Sequence, residues 1–343
     1  MGLCRGMKGS TFIIAEVGQA HDGSLGILHS YIDAAAEAGV DAVKFQTHIA
    51  TAESSEFEQF RVKFSYQDNT RYDYWSRMEL TKEQWSAIKK HCDDVGVEFI
   101  SSPFSVAAVE LLEELGVETY KVGSGELTNF LMMDRIARTG KRVILSSGMS
   151  SYEELGLAFK RFERSSCQVD LLQCTTMYPT PYESVGLNVI PELIRKFPNS
   201  SVGLSDHSGS ILPSLAAVSV GASILEAHIV FDRRMFGPDS TSSLDVNDFK
   251  NLVAGVRAFE TLLTSEVNKD EVSRDLSAVK AVFGKSLAVS SDVRAGDTIC
   301  LSLLESKKPA GIGIPASDYE SIVGRRFSRD LRAWSFITIE DIV

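Results

Sequence analysis

Two short motifs in this sequence each combine a histidine with a carboxylate. Asp206 and His207 end one short apolar run, and Glu226 and His228 end a second run 21 residues later. Neutral imidazoles bind borderline divalent metals, and nearby carboxylates can bind the metal, orient a ligand or move protons. A single histidine at a strand end is more often a hydrogen-bonded core residue. The metal interpretation therefore depends on what surrounds the pair.

Two lysines also end apolar runs. Lys44 closes the second run, and Lys121 precedes the small residues Gly123, Ser124 and Gly125. An ammonium group at such a position would face a carboxylate or a phosphate, and small residues let backbone N–H groups approach an anion. The alternatives are a buried stem with a solvated head and a Schiff-base lysine. Two cations beside several hydroxyl groups favour an oxyanion site.

Polar residues follow every apolar run in the first 230 residues. They are Glu16, then Lys44, Gln46 and His48, Ser102, then Lys121, Ser124 and Glu126, Ser146 and Ser147, 175–178, Asp206 and His207, and Glu226 and His228. After the last run, Gly237, Pro238 and Asp239 predict a turn that either returns Asp239 to the same region or lies at the surface. Solvated loop groups explain any one of these residues, but not the whole set.

The apolar runs alternate with amphipathic helical patterns. We expect strands at 11–17, 41–46, 97–101, 118–122, 142–145, 169–173, 201–204 and 222–225. This alternation is typical of parallel strands covered by helices, and eight units predict an α/β fold of the (β/α)₈ TIM-barrel type. A doubly wound sheet is the alternative, but no GxGxxG follows the first run. Residues 50–80 exceed a usual loop, and we expect a lid or an inserted subdomain.

The character of the chain changes after residue 263. A helical pattern at 245–263 closes the barrel, so we predict a catalytic domain at 1–263. The charge-mixed residues 264–284 predict a helical linker, and the short strands and turns at 285–343 predict a small C-terminal domain. About 60 residues form only a small core, so we expect this domain to pack on something larger.

Composition excludes several classes of protein. The net charge of −11 argues against nucleic acid as a partner, because phosphate-backbone binders usually carry a basic face. Five scattered cysteines without a CxxC pair fit a reducing cytosol better than a disulfide framework. No stretch approaches the ~20 apolar residues that span a membrane. We therefore expect a cytoplasmic protein that acts on small molecules.

Nine ordered segments carry a family resemblance. They are IIAEVG (13–18), DAVKFQTH (41–48), SSPFS (101–105), YKVGSGELTN (120–129), ILSSGM (144–149), CTTMYPTPYE (174–183), GLSDHS (203–208), EAHIVFDRRMFGPD (226–239) and KSLAVSSDVRAGDTI (285–299). The chain resembles the sialic acid synthases, which make nonulosonic acids from phosphoenolpyruvate and an N-acyl hexosamine. Its last segment resembles the small antifreeze-like SAF domain, a β-clip fold.

The resemblance implies a role for each matching residue. It implies that His207 and His228 hold Mn²⁺ or another divalent metal. It implies that phosphoenolpyruvate is bound by Lys44, Ser102, Lys121, Ser124, Ser146 and Ser205. The family also uses positions around the sugar, the metal's waters or the reacting carbons, and in this sequence they are Glu16, Gln46, Tyr178, Glu226 and Asp239. It also implies a homodimer in which the C-terminal domain caps the partner's barrel.

Three departures from the family pattern fall on the sugar side. The usual N-H-N-G is here Ala-His-Asp-Gly at 20–23, and Thr176 replaces an asparagine of some members. Lys308 stands where the C-terminal domain often supplies an arginine, and lysine cannot make that planar bidentate contact. The departures leave the choice of sugar open, between N-acetylmannosamine, a 2,4-diacetamido sugar and a 6-phosphate.

The resemblance implies a metal-dependent condensation. C3 of phosphoenolpyruvate would attack the aldehyde of the open-chain sugar, water would add at C2, and phosphate would leave by C–O cleavage. The competing hypotheses are a Kdo-8-phosphate or DAHP type of synthase, a Schiff-base aldolase, and a non-catalytic barrel that binds carbohydrate. The first would need a basic site for a phosphorylated aldose and has no use for the C-terminal domain.

Overall fold

A computed structural model describes residues 10–60 and 64–343 of the chain. The chain divides into two compact units, the first ending at Thr264 and the second spanning Ser265–Val343. Each unit has an apolar core of its own. Among the described residues, no helix has the length and the apolar character needed to cross a membrane.

Eight parallel strands form the centre of the first unit. They are β1 Phe12–Glu16, β2 Ala42–Thr47, β3 Glu98–Pro103, β4 Thr119–Val122, β5 Arg142–Ser146, β6 Val169–Cys174, β7 Val202–Asp206 and β8 Ile224–Val230. Each strand pairs with the next, and β8 pairs with β1, so the sheet closes into a barrel. A two-residue strand, β9 (Leu244–Asp245), pairs in parallel with the last two residues of β8. The predicted eight-stranded α/β barrel is confirmed.

Among its described residues, this unit contains ten α-helices. They are α1 Leu25–Ala38, α2 Ala50–Glu53, α3 Arg71–Met78, α4 Lys82–Val95, α5 Val106–Glu114, α6 Phe130–Ala137, α7 Tyr152–Lys160, α8 Val189–Lys196, α9 Leu212–Ser219 and α10 Val246–Thr264. Hydroxyl side chains fix several helix starts: Thr81 and Ser151 form capping boxes at α4 and α7. Their apolar faces pack on the outside of the strands as one continuous core.

An apolar layer fills the inside of the barrel. It consists of Ile14, Ala42, Ile100, Ile144, Leu172 and Ile224, all at most 1% exposed. Because side chains alternate along a strand, the residue two positions later points to the same interior. Those residues are Glu16, Lys44, Ser102, Ser146, Cys174 and Glu226. The side chains that fill the barrel interior therefore change from apolar to mostly polar within two residues along each strand, at the carboxyl ends of the strands.

Gly203 lets β7 lie close to β8 at the level of the apolar layer. A Cβ at this position would lie 1.9 Å from the carbonyl oxygen of Ile224. Any side chain here would force the two strands apart. The glycine next to the first histidine motif is thus required by strand packing.

The long segment after β2 contains α2 and α3 and a group of aromatic rings. The rings of Phe64 and Tyr74 pack edge to face with their centroids 5.0 Å apart, and the ring centroids of Tyr74 and Trp75 are 5.2 Å apart. Arg77 forms an ion pair with Asp68 within the segment and a second ion pair with Asp22, which lies in the turn after β1. The described part of this segment is ordered by its own contacts and is tied to the barrel.

The second unit begins with two short helices, α11 (Lys269–Asp275) and α12 (Ser277–Phe283). The strands β10 (Ser286–Val289) and β11 (Leu304–Lys307) follow as an antiparallel pair. Isolated β-bridges and 3₁₀ turns complete a core built around Val289, Phe327 and Ile337. Residues 264–284 contain helices, and contacts group 265–284 with the C-terminal residues. The domain bounds and the SAF identity stay predictions.

Candidate active site

Four buried charged side chains lie at the carboxyl end of the barrel interior. We call Glu16, Lys44, Lys121 and Glu226 the charged floor. Lys44 Nζ lies 2.7 Å from Glu16 Oε2 and 3.7 Å from Glu226 Oε2, and Lys121 Nζ lies 3.5 Å from Glu226 Oε1. Each side chain is at most 6% exposed. The contacts to Lys44 are ionic rather than hydrogen bonds of good geometry, since neither Oε2 accepts one among the described residues. The four charges sum to zero.

The pKa values of the floor follow from burial and pairing. Burial lowers the pKa of Lys44, but Glu16 and Glu226 outweigh burial, so the pKa is raised overall. For Lys121 burial dominates, and its pKa is lowered although Glu226 opposes the change. Burial favours the neutral form of Glu226, yet Lys121 and Lys44 hold its pKa below the usual range. The carboxylates around Lys121 therefore stabilise its charge less than those around Lys44 do, and a bound anion would stabilise the ammonium of Lys121 further.

The predicted oxyanion-binding serines surround the floor. Lys121 donates to Ser146 Oγ at 2.7 Å, and Ser205 Oγ donates to Glu226 Oε1 at 2.8 Å. Ser124 Oγ accepts from the backbone N–H of Gly148 at 3.0 Å. Ser102 is buried and lines the same pocket. The structure thus brings together all six residues expected around phosphoenolpyruvate, while their binding role stays a prediction.

His207 and His228 lie side by side above the floor. Their ring centroids are 5.3 Å apart, and the hydroxyl of Tyr178 lies 3.2 Å from His207 Nε2. His207 Nδ1 lies 3.2 Å from the carbonyl oxygen of Thr175, which can only accept, so this nitrogen carries the proton. Burial and the neighbouring His228 lower the pKa of His207 to about 3. His207 is therefore a neutral imidazole with Nε2 as its acceptor.

These two imidazoles fit an open divalent-metal site. Metal ligation requires the neutral ring, and a catalytic metal leaves positions open for water and substrate. Gly18 supports the arrangement: its φ is +51°, and a Cβ would lie 3.2 Å from His228 Cε1 and 3.3 Å from Glu16 Oε1. Within 10–60 and 64–343, no group of three or more His, Cys, Asp or Glu residues is arranged to hold a metal. Water or substrate would have to complete the coordination.

Thr176 and Gly148 form a crowded edge of the pocket. Thr176 Oγ1 is buried and has no hydrogen-bond partner among the described residues. A Cβ on Gly148 would lie 2.5 Å from this oxygen, 2.7 Å from Ser124 Oγ and 2.9 Å from Cys174 Sγ. The close approach of these three side chains therefore requires a glycine at position 148.

The remaining predicted residues divide between the two units. Gln46 donates to Glu16 Oε1 at 2.7 Å and lines the pocket. Asp239 also lines it, and its charge adds to burial in raising the pKa of Tyr74. Lys308 belongs to the second unit, where its ammonium lies 4.9 Å from the ring centroid of Phe283. Its expected contact with a sugar stays a prediction.

The cavity has a volume of about 700 Å³ and also includes residues that the sequence did not single out. They are Gln19, Glu53, Glu58, Phe64, Arg71, Tyr74, Trp75, Phe104, Met149 and Cys174. Strand alternation would have identified Cys174, two positions after Leu172. Six of the others come from residues 50–80, to which the sequence assigned no site residue.

Comparison with known proteins assigns the family. Residues 31–268 match the NeuB family. The chain is 34% identical to the N,N'-diacetyllegionaminic acid synthase of Legionella pneumophila, over 98% of this chain and 96% of that protein. It is 32% identical to the human N-acetylneuraminate-9-phosphate synthase, over 92% and 88%.

A solved structure agrees with the sequence relatives. The N-acetylneuraminic acid synthetase of Leptospira borgpetersenii, crystallised with citrate, is 29% identical and superposes with a TM-score of 0.69. The superposition covers 79% of this chain and 92% of that one. The matching relatives named here are all synthases of sialic-type acids. This chain therefore belongs to the NeuB family and is an enzyme of that sialic acid synthase-like group.

Proposed function

We propose that this enzyme condenses phosphoenolpyruvate with the open-chain form of an N-acyl hexosamine. The products are a nonulosonic acid and inorganic phosphate. The observation that carries the proposal is the charged floor, in which two buried lysines lie among serine hydroxyls at the closed end of a 700 Å³ cavity. Phosphoenolpyruvate carries a phosphate and a carboxylate, which ammonium and hydroxyl groups suit.

The floor positions the reacting enol. Lys44 and Lys121 bind the two anionic groups of phosphoenolpyruvate, with Ser146 and the other serines as further donors. Their ammonium groups stay protonated because an anionic ligand favours the charged form. Holding the enol at a fixed place beside the aldehyde supplies much of the rate, since orientation replaces a bimolecular encounter.

The bonds change in a balanced sequence. C3 of phosphoenolpyruvate forms a bond to the aldehyde carbon, and the aldehyde oxygen gains a proton. Water adds at C2 and loses a proton to Glu226, which is ionised because the two lysines hold its pKa low. The C2–O bond to phosphate then breaks: its electron pair leaves with the phosphate, which takes up the proton of the new C2 hydroxyl group as that group becomes the ketone. The proton released by water balances the proton gained by the aldehyde oxygen.

His207 and His228 would hold Mn²⁺ or another divalent ion. Such an ion, when bound, polarises a carbonyl as a Lewis acid. The hydroxyl of Tyr178 lies 3.2 Å from His207 Nε2, the nitrogen that would ligate the ion, so Tyr178 would have to release this nitrogen for the ion to bind. We infer homodimerisation from family membership alone, and light scattering of the purified protein tests it.

The test combines turnover with isotope tracing. The purified protein, loaded with Mn²⁺, is incubated with phosphoenolpyruvate and a panel of N-acyl hexosamines while phosphate is measured. With ¹⁸O in the bridging position, C–O cleavage leaves the label in the phosphate. Absence of phosphate release with every sugar would refute the proposal. Borohydride in the presence of pyruvate is the control, because a Schiff-base aldolase would be labelled on a lysine.

A further inference from the structure

His48 is a buried imidazole that the proposed reaction does not use. Its ring stacks between Trp75 and Phe104, with centroid distances of 4.1 Å and 4.6 Å. The side chain is only 2% exposed, yet it lines the cavity. Packing of this kind fixes the plane of the ring, so its two nitrogens point in set directions.

Glu53 determines which nitrogen of His48 carries the proton. His48 Nδ1 lies 2.6 Å from Glu53 Oε1, and the Glu53 side chain is 6% exposed. An ionised carboxylate can only accept, so Nδ1 must donate. In the neutral ring, Nε2 is then an acceptor.

Gln19 links the tautomer of His48 to the orientation of the Gln46 amide. Its amide nitrogen lies 3.0 Å from His48 Nε2 and also donates to Gln46 Oε1, so both of its hydrogens are used. His48 Nε2 and Gln46 Oε1 lie 3.2 Å apart; with the proton on Nδ1 no hydrogen lies between them, and the Gln19 amide donates to both. Gln19 Oε1 has no partner among the described residues, but the opposite amide orientation would bring this oxygen against two acceptors.

Gln46 is left with one orientation. Its oxygen is occupied by Gln19, and its nitrogen donates to Glu16 Oε1 at 2.7 Å. An amide nitrogen has two hydrogens, so one N–H stays available on the cavity side. Gln46 is partly exposed there.

We infer that His48 and Glu53 are positioning residues that hold Gln46 as an N–H donor to the acceptor sugar. The inference rests on the proposed function and adds the chemistry of one subsite. At this subsite the N–H of Gln46 donates to an oxygen atom of the sugar, such as an acyl carbonyl or a hydroxyl oxygen. Glu53 lies in α2, so the segment after β2 contributes to sugar binding through the order of these hydrogen bonds.

The tautomer can be measured without turnover. In the full-length protein labelled with ¹⁵N-histidine, long-range ¹H–¹⁵N spectra distinguish a protonated from an unprotonated ring nitrogen. The chain has six histidines, and the signal lost in His48→Phe identifies His48. We expect a protonated Nδ1 and an unprotonated Nε2. A protonated Nε2 in the wild-type protein would overturn the inference.

Kinetics separate positioning from a purely structural role. Glu53→Met removes the acceptor for Nδ1 and should raise KM for the sugar about threefold to tenfold, the effect of one neutral hydrogen bond. KM for phosphoenolpyruvate should stay within about twofold, because the lysines are untouched. Glu53→Gln keeps an acceptor oxygen and should restore both the tautomer and KM for the sugar.

Two results would contradict the inference. One is an equal rise of both KM values in Glu53→Met, which would indicate general disruption of the pocket. The other is an unchanged KM for the sugar while the spectrum shows the tautomer altered. If the wild-type protein releases no phosphate with any sugar, the proposed function fails and the subsite role with it. The spectrum still decides whether Glu53 sets the tautomer.

Discussion

Removing the Lys121 ammonium tests whether the charged floor binds phosphoenolpyruvate. At the observed 3.5 Å, and with an effective dielectric constant of about 20, the attraction between Lys121 and Glu226 is about 5 kcal/mol before desolvation. A bound phosphate at a similar distance gains a comparable attraction. Truncating one partner of a close charge pair costs about 2–5 kcal/mol. Lys121→Met should therefore weaken phosphoenolpyruvate binding by about 2–5 kcal/mol, which is roughly 30-fold to 4,000-fold.

Titration calorimetry with phosphoenolpyruvate measures the loss directly, since turnover of this variant will be slow. Lys121→Met leaves the floor with a charge of −1, which repels the ligand. Adding Glu226→Gln returns the charge to zero and should recover about tenfold in affinity, without recovering turnover. The matched control is Lys82→Met, because Lys82 is an exposed lysine whose partner is Glu114.

Two outcomes would be incompatible with the structure of the charged floor. If the double variant binds no more tightly than Lys121→Met, then Glu226 does not act on the same anion. If Lys82→Met weakens binding as much as Lys121→Met, the effect is one of overall charge and not of the floor.

Four further variants test other parts of the structure. Burial, with His48 and Arg77, lowers the pKa of His21 from 6.5 to about 4. Between pH 6.5 and pH 4 the unfolded chain therefore binds a proton at His21 that the folded chain does not bind. The free energy of unfolding, measured by urea titration, should fall by up to about 3 kcal/mol over this range. His21→Gln should make the free energy of unfolding less dependent on pH. Gly203→Ala should destabilise the barrel by about 3 kcal/mol or more, whereas Gly156→Ala, with open space in α7, should stabilise it by up to about 1 kcal/mol. His228→Ala should lose Mn²⁺ binding in calorimetry, and unchanged binding would show that the ligands are others.

Strand positions in the barrel could be predicted from the sequence because buried parallel strands are short apolar runs. The clearest difference is β8, which was expected to end at residue 225 and continues to Val230. Glu226 and His228 interrupt the apolar run, and a pattern-based prediction stops at polar residues. In the structure both are buried, since this end of the barrel interior is polar.

The site was predictable where it depends on strand ends alone. Closure of the barrel brings those ends together, so the residues expected around phosphoenolpyruvate and the metal meet without further information. The contribution of Glu53 and Trp75 was not predictable, because it depends on the path of residues 50–80 and not on a repeating pattern. Likewise, the lysines were identified, but which glutamate each one pairs with depends on strand register.

The apolar layer of Ile14, Ile100, Ile144, Leu172 and their neighbours closes the barrel beneath the floor. Ligands can therefore reach the floor only from the carboxyl ends of the strands. A molecule held by Lys44 and Lys121 must arrive before a second molecule occupies the space above it. Under the proposed function, the shape of the barrel therefore predicts the order of substrate addition: phosphoenolpyruvate first and the sugar second, with the bound sugar blocking dissociation of phosphoenolpyruvate.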